Sequence, residues 1–207
     1  MKKTKNTVGS LFFSRTNDFL NKYLPEQASK SANTVETYRD ALTVFRRYIT
    51  DIKGISLRKF LFSDCTHELM LEYLAHLRSS GCEASTCNNR LAALRAYLWY
   101  ASDMDVSIQS VALSASNVPF LRTPQKNRET INDADMTALL AAPANTKIGI
   151  RDRTIMILLY DTAIRVSELL GLQVSSLNLH SSTPYIHVHG KGDKDRIVSV
   201  TAKTTQH

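Results

Sequence analysis

Glycine is scarce in this chain, 7 in 207 residues, about half of the roughly 7% usual in globular proteins. That shortage argues against a turn-dense all-β fold and for helices. Cysteine is scarcer still. Cys65, Cys82 and Cys87 are odd in number and have none of the paired spacings of a zinc site or a disulfide framework, so they read as reduced thiols in a cytoplasmic compartment. No apolar run approaches the ~18 residues of a membrane span, and the basic start Met1 to Lys5 is not followed by the apolar stretch of a signal peptide. Neither export nor a membrane span is expected.

Apolar residues make up 43% and charged residues 22%, close to globular averages, which leaves room for a sizeable core and sets disorder aside. The length suits one domain or two. Lys and Arg outnumber Asp and Glu by 26 to 19, a net charge of +7. Such an excess suits a polyanionic partner, nucleic acid or an acidic surface, beside the plainer reading of solubility. It is unevenly placed: residues 1–129 hold 18 basic and 12 acidic side chains, residues 130–207 hold 8 and 7.

Periodicity divides the chain. Leu11, Phe12, Phe19, Leu20 and Tyr23 pattern a first helix that Pro25 should stop. Asn33 stands three before Glu36, the capping-box spacing, and opens a second helix with Tyr38, Leu42, Phe45 and Ile49 on one face. Thr66 opens a third, with Met70, Tyr73, Leu74 and Leu77 as its stripe, and Ser85 a fourth, with Cys87, Leu91, Leu94, Leu98 and Ala101. These make a four-helix bundle. Asn88, Asn89, Arg90 and Arg95 lie on the fourth helix as a polar, basic surface fit to face DNA, or simply a solvated one. Tyr97, Trp99 and Tyr100 read as core and interface residues rather than base-stacking platforms.

Domain boundaries follow: a helical domain over 1–113, a linker over 114–129 where Pro119, Pro124 and polar residues interrupt the pattern, and a second domain over 130–207. The last opens with helices around Ala134 to Leu140, Gly149 to Asp161 and Val166 to Leu172. The period then changes. Tyr185, Ile186 and Val188, then Ile197, Val198 and Val200, flank a glycine-bearing turn and predict a β-hairpin.

Arg165 stands at the start of the short helix that begins near Val166, where a guanidinium fork beside open backbone N–H groups suits a phosphate, with Glu168 three residues on to hold it. An ordinary surface ion pair fits the same spacing. Lys191, between two glycines at the hairpin tip, is either a point charge reaching into a groove or a solubilising lysine. His187 and His189 share a strand face, but no third ligand accompanies them and no metal is expected.

Taken together, Thr162-Ala163-Ile164-Arg165-Val166-Ser167-Glu168-Leu169 resembles the first catalytic motif of the tyrosine site-specific recombinases, or phage integrases, commonly threonine-glycine-leucine-arginine-x-serine-glutamate-leucine. Ala163 replaces the glycine. Gly190-Lys191-Gly192-Asp193-Lys194-Asp195-Arg196 is similar to the family's hairpin run of glycine-lysine-glycine-x-lysine-x-arginine, and Lys191 lies 26 residues beyond Arg165. The resemblance implies a mainly α fold: an N-terminal four-helix, SAM-like core-binding domain, then a partial α+β catalytic domain with a β-hairpin. It further implies double-stranded DNA as partner, other recombinase protomers in a synaptic tetramer, and no cofactor. Arg165 and Lys191 would be catalytic and Glu168 a buttress. Asn33, Thr34, Arg39, Arg46 and Arg47 on the second helix, Ser85, Asn88, Asn89, Arg90 and Arg95 on the fourth, and Lys194 and Arg196 on the hairpin would contact DNA.

The family's histidine-x-x-arginine motif and tyrosine nucleophile follow the hairpin. All eight tyrosines here precede Lys191, so none is expected to be the nucleophile, and the reading is of a truncated recombinase, inactive by itself. Such truncation should leave Ile157, Leu158, Ile186 and Val198 exposed. Two alternatives stand beside it: a non-catalytic DNA-binding regulator, and a helical interaction module.

Overall fold

The computed structural model describes residues 10–124, 129–190 and 194–206. The chain forms two compact units, Met1–Lys126 and Asn127–His207. The first unit opens with a helical run that widens along its length: a 3-10 turn at Phe12–Arg15, an α turn at Thr16–Asp18 (α1) and a π stretch at Phe19–Gln27. Pro25 does not stop this run. It lies inside the π stretch, whose wider turn leaves space for a ring that an α-helical interior would exclude.

Helix α2 spans Ala32–Arg47 and runs on as a π turn through Tyr48–Ile52. Its cap is Ser31 rather than Asn33. The Ser31 hydroxyl accepts from the Thr34 N–H at 3.4 Å, whereas Asn33 is already helical and its carbonyl accepts from the Thr37 hydroxyl at 2.8 Å. Serine and asparagine cap about equally well, so the extended backbone at Ser31 (ψ 154°) settles the boundary. Helix α3, His67–Ser79, is capped as expected by Thr66, whose hydroxyl accepts from the Leu69 N–H at 3.2 Å. Helix α4, Ala84–Met104, starts one residue before Ser85.

The apolar stripes of α2, α3 and α4 meet in one core, with Leu42, Phe45, Met70, Tyr73, Leu91, Leu94 and Leu98 all buried. At its centre the Phe12 ring lies between 4.9 and 5.4 Å from those of Phe13, Phe45, Phe60, Phe62 and Tyr97. The Phe12 N–H donates to the Phe60 carbonyl at 2.9 Å, and its own carbonyl accepts from the Tyr97 hydroxyl. Tyr97 and Tyr100 are buried, as expected, while Trp99 is partly exposed and donates to the Ser116 hydroxyl at 3.0 Å.

The expected linker begins too early. Gln109–Ser116 form helix α5, which packs on α4 through Ala112 and Ala115, and Val118 is fully buried beyond it. The stripe is built of alanines, so a search for large apolar residues passes over it. Two side chains of α4 hold the segment that follows. The Asn88 amide donates to the Leu121 carbonyl at 2.9 Å and accepts from the Leu121 N–H at 2.8 Å, and Arg95 donates to the carbonyls of Ala115 and Val118.

The second unit contains helices α6 (Asp133–Ala141), α7 (Lys147–Thr162) and α8 (Val166–Leu170). Its antiparallel sheet has the order β1-β2-β3, with β1 at Leu177–Asn178, β2 at Tyr185–Gly190 and β3 at Lys194–Ser199. The hairpin is β2–β3, with Ile186 opposite Val198 and Gly190 opposite Lys194. Strand β1 was not foreseen, because two residues carry no alternation. Ile186 is buried, against expectation, with Val188, Ile164 and Val200, and Leu158 and Val198 pack against them.

Replacing Asn88 by alanine strips both partners from the half-buried Leu121 backbone, at a cost of about 0.5–1.5 kcal/mol for each hydrogen bond. Trypsin should then cut after Arg122 several-fold faster than in the parent chain; an unchanged rate would show that Asn88 does not hold this segment.

Candidate phosphate-binding site

The chain leaves α7 through Ala163, which takes left-handed backbone (φ +49°, ψ +26°). This reversal buries Ile164 and delivers Arg165 in extended conformation to the N-terminus of α8. An L-residue with a Cβ pays for that geometry and glycine does not. The alanine therefore stands where backbone geometry favours a glycine.

Glu168 then turns back across the first turn of α8. Its Oε2 accepts from the Arg165 N–H at 2.8 Å and its Oε1 from Arg165 Nη1 at 2.9 Å. A second arginine meets it from strand β3: Arg196 donates through Nη1 to Oε1 at 2.9 Å and through Nη2 to Oε2 at 2.8 Å. The Glu168 side chain is 3% exposed, against 67% for Arg165 and 40% for Arg196. This is not the surface ion pair that the spacing also allowed. The Arg196 fork, foremost, and the Arg165 N–H hold the Glu168 carboxyl down at about 2, against the opposing pull of burial. One carboxylate between two guanidinium groups leaves positive charge outward, with the Arg165 fork open to an anion.

The remaining expected contacts divide. Lys191 lies outside the described residues; Lys194 is exposed at the start of β3. Arg196 is committed to Glu168, so its fork is not a free DNA contact. Asn88 and Arg95 are likewise withdrawn from the expected DNA face, since both serve backbone groups at residues 115–121, and Arg95 also lies 4.4 Å from the Phe120 ring centroid. Asn89 and Arg90 line a small cleft with Thr37, Asp40, Ala41 and Thr86, between α4 and α2. Arg39 and Arg46 line a different hollow, beside Asn17 and Asn21 of the opening helical run. Asn33, Arg47 and Ser85 are exposed and Thr34 half-buried. Thr37 and Asp40, three apart on α2, and Thr86 on α4 were missed: they are polar positions, which an apolar pattern does not mark. Among the described residues no cluster of three His, Cys, Asp or Glu could hold a metal, and His189 Nδ1 lies 2.8 Å from Asp195 Oδ1.

Residues 17–103 match the profile of the phage integrase N-terminal SAM-like domain, and residues 129–207 match that of the phage integrase family. The chain belongs to the tyrosine recombinase family. A tyrosine recombinase XerC of Staphylococcus haemolyticus is 32% identical over 186 residues, 87% of this chain and 57% of that protein. A putative integrase/recombinase of Sinorhizobium fredii is 29% identical over 188 residues, 88% of this chain and 66% of that one. The chain thus spans about six-tenths of these relatives. Among solved structures, a XerH site-specific recombinase bound to a palindromic difH substrate superposes with a TM-score of 0.65 at 20% identity, covering 86% of this chain and 51% of that one. A Tn1549 transposon integrase in complex with circular intermediate DNA gives 0.59 at 16%, covering 96% and 62%. At these identities the superpositions show the recombinase fold.

Two outcomes follow from this geometry. Ala163→Gly should stabilise the second unit by about 0.5–1 kcal/mol, the relief of left-handed strain exceeding the added freedom of the unfolded chain; slower amide exchange across α7 and α8 would show it, and faster exchange would refute it. Because the folded Glu168 carboxyl lies at about 2, below its ordinary 4.5, its contribution is complete above pH 4.5 and is lost as pH falls towards 2. Exchange in α8, corrected for intrinsic rate, should differ most between the parent and Glu168→Gln above pH 4.5 and converge as pH approaches 2.

Proposed function

We propose that this chain supplies the DNA-binding unit and the opening part of the catalytic unit of a site-specific recombinase, and that Arg165 holds the scissile phosphate. The carrying observation is that a two-thirds exposed guanidinium is fixed from behind by a buried carboxylate. Such an arrangement is prepared for an anion before it arrives, so little reorganisation accompanies the build-up of charge on the nonbridging oxygens.

The partner is duplex DNA. The relatives are named as recombinases, and the XerH and Tn1549 proteins were solved with DNA. The basic excess of residues 1–129 and the cleft of Asn89, Arg90, Thr37 and Asp40 supply a surface for it. Lys191, carried by the hairpin whose β3 strand also bears Arg196, takes the part of proton donor to the leaving 5′-oxygen. The attacking tyrosine of the 3′-phosphotyrosine step is not among the eight of this chain. Tyr48, Tyr73, Tyr97 and Tyr100 are core residues, and the Tyr185 hydroxyl is bonded to the Asn178 amide at 2.8 Å.

Fluorescence anisotropy with a duplex should show affinity falling at least tenfold between about 50 and 200 mM salt, as phosphate neutralisation requires. Arg165→Ala should lower bulk affinity by about tenfold while erasing phosphate interference at one position. Binding indifferent to salt, or an interference pattern identical in the mutant, would overturn the proposal.

A further inference from the structure

We infer that Arg196 is a positioning residue that locks the Lys191-bearing hairpin to Arg165 through Glu168, rather than a residue that binds DNA; this rests on the reading of Arg165 as the phosphate ligand. Arg196 points its fork at the same two oxygens that hold Arg165, at 2.9 and 2.8 Å, from a strand 28 residues further along the chain. Both arginines bond the same two Glu168 oxygens, so a shift of β3 is felt at the Arg165 backbone N–H and at its Nη1.

A second observation points the same way. Gly190, the last residue of β2 and opposite Lys194, lies directly beneath this pair: a Cβ there would stand 3.0 Å from Arg196 Nη1 and 3.2 Å from Glu168 Oε1. The residue adjoining Lys191 is therefore packed against the ion pair itself, and a side chain there would push the guanidinium and the carboxylate by a few tenths of an ångström. Lysine cannot replace Arg196 here. A single ammonium makes no parallel pair of bonds to the two carboxylate oxygens and does not fix their plane.

The test uses the whole 207-residue chain and a duplex selected by it from a random pool, with single phosphates replaced by neutral methylphosphonate. The position whose penalty vanishes in Arg165→Ala marks the Arg165 phosphate. The parent chain should lose about tenfold in affinity when that phosphate is neutralised. In Arg196→Ala and Arg196→Lys the same replacement should cost less than about twofold, with no other position losing its penalty. Gly190→Ala, which alters no charge, should reduce the penalty in the same direction. Arg151→Ala, whose exposed side chain pairs with Asp152 in the second turn of α7, should leave it at tenfold.

Should Arg196 touch DNA directly, its variants would erase a different phosphate and keep the one read by Arg165, and the inference would be overturned. A parent chain with no phosphate that depends on Arg165 would overturn the underlying reading and this one together, and is told apart by being visible before any Arg196 variant is made. Misfolding of the variants is judged separately, by amide exchange across α7 and the β2–β3 hairpin, and the Glu168 carboxyl is titrated by carbon-13 in Arg196→Lys. A folded variant whose carboxyl still titrates at about 2 would show that Arg196 does not hold it, and would overturn the inference as well.

Discussion

A carboxylate with 3% of its side chain exposed cannot sit in a protein unpaired, and the way Glu168 is compensated organises the second unit. Four hydrogen bonds converge on its two oxygens, one from backbone and three from two guanidinium groups. They join the turn after α7, the first turn of α8 and strand β3. Arg165 gains a fixed base and keeps most of its guanidinium in the open. A buried acid thus converts a flexible surface arginine into a directed anion ligand.

The apolar packing of this unit serves the same end. Ile164, immediately before Arg165, shares a small core with Ile186, Val188 and Val200 of the hairpin region. Alternation along β2 sends Ile186 and Val188 inward and His187 and His189 outward. The sheet is therefore seated on the helices by the residue adjoining the arginine, and the ion pair is completed across the same contact. Side chains on both faces of that turn agree on where Arg165 sits.

The first unit shows how polar side chains can be drawn away from a surface. Asn88 and Arg95 lie on the same helix as Asn89 and Arg90, and their chemistry is equally suited to DNA. A buried backbone with unmet hydrogen bonds is the stronger claimant. Residues 115–121 lie against α4 without forming regular pairs of their own throughout, so Asn88 and Arg95 supply the missing partners. What remains for a ligand is the cleft where Asn89 and Arg90 face Thr37, Asp40 and Thr86.

Helices, hairpin and motif residues were legible because each is a local pattern: Met70, Tyr73, Leu74 and Leu77 recur at the helical period, Ile186 and Val188 at the strand period, and Arg165 and Glu168 three apart. The family was legible for the same reason, since both motifs are short and contiguous. Local pattern failed where partners are distant or small. Helix α5 is paved with alanines, and β1 is two residues long. Most of all, the assignment of Arg196 needed the fold: nothing in the stretch between it and Glu168, 28 positions apart, marks the pair, because a bidentate contact depends on the antiparallel register of β2 and β3 and on how that sheet rests on α8. The sequence by itself determined which groups of charge were present and on which elements; only tertiary packing decided which of them are spent on one another and which are left to meet a phosphate.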